Sequence, residues 1–118
     1  MTDIAKAITF ATDCLGWTKV YADHKPPRDT FICDGGSDRA FHLVSAYHLS
    51  AALTEFLGKR YFIQINRGTT SHFQWRVIIG LQDLSVKGAN TEHAQAEGED
   101  LWGCIFSACV EAVGMLND

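Results

Sequence analysis

The chain has no apolar stretch approaching the ~20 residues that a membrane-spanning helix requires, so a helical span is not expected. Residues Met1 to Lys6 lack a basic start followed by an apolar run and a small-residue cleavage site, which predicts no secretion signal and a cytoplasmic location. The four cysteines (Cys14, Cys33, Cys104, Cys109) have neither CxxC spacing nor the density of a disulfide scaffold, so they are expected to be reduced. A zinc site would need His24, His42, His48, His72 or His93 to converge with them, yet no close ligand pair marks one; neither metal nor cofactor is expected. Basic residues are also sparse. Ten Lys and Arg lie scattered among fourteen acids for a net charge of −4, which argues against binding duplex nucleic acid.

What is present is ordinary globular composition, 47% hydrophobic and 20% charged, in 118 residues. That length suits one domain spanning residues 1–118 and is too short for two independent cores. Ile4, Ile8, Ala11 and Leu15 recur at helical spacing, with Thr2 or Asp3 as the cap and Gly16 as the stop. Residues 17–38 hold both prolines and Gly35-Gly36 and read as a long surface loop, with one short extended piece at Thr30 to Cys33. Ser37 or Asp38 is then expected to cap a second helix carrying Phe41, Val44, His48, Ala52 and Phe56 on one side and stopping at Gly58.

The segments from Arg60 to Asn66 and from His72 to Gly80 are rich in aromatic and β-branched residues around the turn Arg67 to Ser71, which predicts a hairpin. Thr91 to Ala96 supplies a third strand. Leu101, Ile105, Ala108, Cys109, Ala112 and Leu116 form the apolar stripe of a closing helix, with Glu99 and Asp100 at its start and Gly114 near its end. The expected fold is therefore α+β: a short antiparallel meander of about three strands flanked by three helices, in the order helix, loop, helix, strand, strand, strand, helix.

No constellation declares a reaction. Gly-x-Ser-x-Gly and the P-loop pattern are absent, and Ser37, Ser45, Ser50, Ser71 and Cys104 have no motif that marks a nucleophile, so an enzyme is not expected. Asp34-Gly-Gly-Ser-Asp38 offers glycines and free amides to a phosphate. A capped turn is the preferred reading, because two acids there repel an anion. His48 reads as a hydrogen-bonded core or rim histidine. The candidate ligand-binding residues are Arg67, Thr69, Thr70 and His72 at the hairpin end, Arg76 on the sheet face opposite Trp75, and Arg39 and Trp17 at element boundaries. Each has a plain alternative as a solvated turn residue, a surface ion or a seal over the core.

The words Leu15-Gly16-Trp17, Ser37-Asp38-Arg39-Ala40, Trp75, Ala94-Gln-Ala-Glu-Gly98 and Glu111-Ala-Val-Gly114, spread over nearly the whole chain, resemble the phage ABA sandwich family. Leu101-Trp102-Gly103 departs from that pattern, in which small residues and a proline are usual. The resemblance implies phage origin and a helix-flanked antiparallel sheet, but carries no reaction. Phage origin, small size and arginines (Arg39, Arg60, Arg67, Arg76) set against aromatics (Trp17, Tyr47, Tyr61) lead to one functional expectation: a homo-oligomeric protein in the host cytoplasm that sequesters a small nucleotide-derived immune signal intact. The other expectation is an acidic, anti-CRISPR-like mimic that binds a host defence protein, using Asp3, Asp13, Asp23, Asp29, Asp34 and Asp38.

Overall fold

The structure is a computed structural model and describes residues 4–25, 29–43, 45–58, 61–68, 74–81 and 93–116. Helix α1 (Ile4–Asp13) buries Ala7, Phe10 and Ala11; of the expected stripe Ala11 is buried while Ile4 and Ile8 are half-buried, and Phe10 was not part of it. Gly16 then takes a φ of 74°, a left-handed conformation that a side chain disfavours, and the Trp17 amide donates back to the Ala11 carbonyl at 3.1 Å. This turn sends the chain from the helix into a sheet.

Residues 17–38 are not a single loop. They contain β1 (Val20–Lys25) and β2 (Asp29–Asp34), and β3 (Ala40–His42) completes a first antiparallel sheet in the order β1-β2-β3. Ala22 pairs with Ile32 and Ile32 with Phe41, a row in which Ile32 and Phe41 are buried. The alternation across Phe31, Ile32, Cys33 and Asp34 is half-buried, buried, half-buried, buried, the period-two signature of a strand with one face on the core.

The second helix also begins later than expected. Ser37 and Asp38 cap nothing; they sit in the turn between β2 and β3, and Phe41 lies on a strand. Helix α2 (Ala46–Leu57) starts after Ser45, whose hydroxyl accepts from the His48 amide at 3.4 Å. It ends where expected, with the Gly58 amide donating to the Thr54 carbonyl at 3.0 Å.

The expected hairpin forms from β4 (Tyr61–Arg67) and β5 (Trp75–Leu81), and β6 (His93–Gly98) adds the third strand in the order β4-β5-β6. Register places Ile63 opposite Ile79 and Ile79 opposite Ala94. Val77, Ile79 and Ala94 are buried on the face covered by helix α3 (Leu101–Leu116), while Phe62 and Ile78 are half-buried on the other. Glu99 and Asp100 precede α3 directly. Gly114 lies within the helix instead of closing it.

The molecule is thus α+β, with three helices and two three-stranded antiparallel sheets among the described residues. Helix α1 packs on α3 and on the first sheet, and α2 bridges β3 and β4. No described helix is long and apolar enough to cross a membrane.

Phe10 sits where these pieces meet. Its ring lies 4.7 Å from Phe106 of α3, 6.1 Å from Phe56 of α2 and 6.5 Å from Phe41 of β3, centroid to centroid, and the side chain is wholly buried. The Phe10→Ala variant is expected to lose ~3–5 kcal/mol of unfolding free energy, the cost of lost transfer plus a cavity, and Phe10→Leu clearly less. Urea denaturation followed by circular dichroism measures both; equal stability of Phe10→Ala and wild type would exclude Phe10 as the joint.

Candidate functional site

A groove of about 380 Å³ opens between β3 and α2. Trp17, Phe41, Ala51 and Ala52 give it apolar walls, and Arg39, Tyr47, His48 and Glu55 bring it polar and aromatic groups. The helix supplies its side by simple periodicity: Tyr47, Ala51 and Glu55 are four residues apart and share a face. Arg39 and the start of β3 supply the facing side, where Arg39, Ala40 and Phe41 all line the groove.

Arg39 is held from several sides, its Nε donating to Ser37 Oγ at 3.2 Å. Its guanidinium carbon stands 5.4 Å from the Trp17 ring centroid, and one terminal nitrogen lies 3.3 Å from a carboxylate oxygen of Asp34. The other, Nη1, is 3.7 Å from Glu55 Oε1, beyond hydrogen-bond length. Arg39 and Glu55 are each about half exposed, so their attraction contributes at most ~1 kcal/mol. The pair is held loosely.

Asp34 explains why the Gly-Gly-Ser turn is no phosphate site. Its side chain is nearly fully buried and accepts from the Lys19 amide at 3.3 Å, the Gly36 amide at 3.1 Å and the Ser37 hydroxyl at 3.1 Å, besides Arg39. The chain's own carboxylate thus occupies the amides that an anion would need. Gly36 permits this approach: a Cβ there would come within 3.0 Å of Thr18 Oγ1. The turn was expected, as a helix cap; it serves instead as a hairpin connection.

Burial pushes the Asp34 carboxyl up, but the hydrogen bonds from Gly36, Lys19, Ser37 and Arg39 outweigh it and hold the group below its ordinary 3.8. In the interval beneath 3.8 the unfolded chain binds this proton and the folded chain does not. Stability from Asp34 is therefore fully present above 3.8 and is lost as pH falls through the lower, folded value. The Asp34→Asn variant should melt below wild type at pH 7, and the gap between the two should close as pH drops beneath 3.8; thermal melts across pH would refute this if the gap stayed constant.

His48 is fixed in one tautomer. The His42 amide donates to His48 Nδ1 at 3.0 Å, so the neutral ring carries its proton on Nε2 and is a donor at that atom. His48 is half-buried at the groove, as a hydrogen-bonded rim histidine would be. Beside it Tyr47 is 81% exposed, with its ring 6.0 Å from that of His48. Trp17, by contrast, is 4% exposed, and its Nε1–H has no hydrogen-bond partner among the described residues.

Of the residues proposed from sequence, the structure brings together Trp17 and Arg39. Arg67 and Arg76 lie elsewhere, on opposite faces of the second sheet. Arg67 stacks over Trp75, its register partner, at 5.4 Å, and Arg76 Nε donates to Glu97 Oε1 at 2.9 Å across β5 and β6. Thr69, Thr70 and His72 lie outside the described residues. Phe41, Ala51 and Glu55 were missed as groove residues; Tyr47, Ala51 and Glu55 lay at four-residue spacing within the expected helix, but the strand that faces them was read as part of that helix.

No three His, Cys, Asp or Glu side chains converge as a metal site among the described residues. None of the four cysteines is in a disulfide. Burial raises the thiols of Cys104 and Cys109 above their ordinary value, which makes both poor nucleophiles. Comparison with protein-family models, with curated proteins and with solved structures finds no match to this chain.

Proposed function

We propose that the protein is a binding protein, not an enzyme, and that the groove between β3 and α2 captures a planar heterocycle of the nucleobase class. The observation that carries this reading is the arrangement of a guanidinium held over Trp17 next to the freely exposed ring of Tyr47, above an apolar floor. Flat π surfaces and a planar cation favour a flat ligand, each through stacking or cation–π attraction. The volume of about 380 Å³ lies near the lower end of small-molecule sites, which suits a base or nucleoside.

The charges say which end of a nucleotide enters. Asp38 and Glu55 flank the single groove cation Arg39, and Asp34 neutralises it from behind. A phosphate would meet more negative than positive charge there. The base therefore goes in, and any phosphate remains outside. Together with the resemblance to phage proteins, this supports sequestration of a small nucleotide-derived host signal, held by its base and released unchanged. The mimic of a nucleic acid finds less support, because Asp34 is buried inside its own turn and offers no surface charge.

Calorimetric titration with nucleosides and their 5′-monophosphates tests the reading. A nucleoside should bind, and its monophosphate no tighter. Tyr47→Ala should weaken binding about tenfold or more, the effect of losing one stacking partner. Because Tyr47 is 81% exposed, the same substitution should leave stability within about 0.5 kcal/mol of wild type. Binding unaffected by Tyr47→Ala, or confined to the phosphorylated forms, would refute the proposal.

A further inference from the structure

Resting on that reading, we infer that the groove selects a guanine-type base, through the Arg39–Glu55 pair. These two side chains stand next to each other, Nη1 to Oε1 3.7 Å, too far for a hydrogen bond and each about half exposed. With Nε donating to Ser37 Oγ and Nη2 to Asp34 Oδ2, the guanidinium offers its remaining Nη1–Nη2 edge as donors, and Glu55 beside it an acceptor pair. Few flat molecules match that sequence. Guanine does, because its O6 and N7 are adjacent acceptors suited to arginine and its N1–H and 2-amino group are adjacent donors suited to one carboxylate. Adenine has no carbonyl for the guanidinium and only one amino group for Glu55. Inosine keeps the carbonyl and N1–H but lacks the 2-amino group, so it isolates a single hydrogen bond to Glu55.

Trp17 supplies a second observation at the same place. Its indole N–H is buried without a hydrogen-bond partner among the described residues, with Arg39 lying over the ring. A base paired with Arg39 lies next to this indole, which lines the same groove, and changes its surroundings.

The test is titration of the intact chain with guanosine, inosine and adenosine, for wild type, Glu55→Gln and Tyr47→Ala, with the indole N–H signals followed by NMR. Guanosine is expected to bind about tenfold or more tighter than inosine, since a charge-assisted hydrogen bond separates them, and adenosine more weakly than guanosine by at least as much. Glu55→Gln should bring guanosine close to the affinity of inosine. Glu55 is about half exposed, so this variant should fold as wild type. The Trp17 indole signal, identified by its loss in Trp17→Phe, should move on saturation with guanosine.

Equal affinity for the three nucleosides, or insensitivity of guanosine to Glu55→Gln, would overturn the guanine selection while leaving the base-binding groove intact, provided Tyr47→Ala still weakens all three. A Trp17 signal unmoved at saturation would place the base away from Arg39 and overturn the pairing. Absence of binding by every nucleoside would overturn both the selection and the groove reading beneath it.

Discussion

The meeting of Phe10 with Phe41, Phe56 and Phe106 is the contact on which the architecture turns, because each of those rings comes from a different element. Neither three-stranded sheet has a second sheet closing its buried face; each depends on helices. Helix α1 lies between α3 and the first sheet, and Phe10 is the side chain that commits it to both. Burying large rings together is the most economical way for a chain this short to gain apolar area, since each aromatic removes more surface from water than an aliphatic residue. Phe56 extends the cluster by stacking on Tyr61 at 4.4 Å, which ties α2 to the start of β4.

The groove inherits its shape from that cluster. Phe41 has one side in the core, 6.4 Å from Phe106, and also lines the groove, where its ring lies 5.7 Å from that of Trp17. Trp17 is placed by the left-handed turn at Gly16. The aromatic wall is thus core in origin, and packing makes it rigid. The polar wall is held differently. Arg39 is positioned by a buried acid in its own hairpin turn, and its outer contact with Glu55 is loose. Rigid apolar surface and adjustable polar groups are the combination found in small-ligand sites, where shape is preformed and a few polar atoms set orientation.

Legibility in the sequence followed the length and amphipathicity of each element. The stripe of Ile105, Ala108, Cys109 and Ala112 and the aromatic strands around Ile63 and Ile79 were readable, since each repeats its period several times. The first sheet was not. β3 has three residues and β2 is broken in pattern by the buried, charged Asp34, so neither shows a clean alternation. Asp34-Gly-Gly-Ser-Asp38 suits a hairpin turn and a helix cap equally well by residue preference, and the choice depended on Asp34 folding inward onto four donors. From that one misreading came the displaced helix start, which put Phe41 on the helix and hid the strand that faces Tyr47, Ala51 and Glu55. Trp17 and Arg39 could be named singly; their juxtaposition depends on pairing across a sheet that the sequence pattern concealed.

That hidden turn also bears on what kind of ligand the molecule suits. A site built to hold phosphate exposes backbone amides and unpaired cations. Here the turn amides of Gly36 and Lys19 go to Asp34, Arg39 is shared between Asp34 and Glu55, and Arg76 is engaged by Glu97. Arg39 and Arg76 are thus both matched by acids, while Arg67 lies over the Trp75 ring. Charge alone is therefore a poor source of affinity in this molecule. What remains uncompensated in the groove, among the described residues, is the ring of Tyr47 and the indole N–H of Trp17, an exposed π face and a neutral donor. Those two features favour a flat, largely neutral partner with hydrogen-bonding edges. They contribute nothing to bond cleavage, because neither is a nucleophile nor a base at neutral pH, and the buried thiols nearest the core are disfavoured as thiolates by the same burial that stabilises the fold.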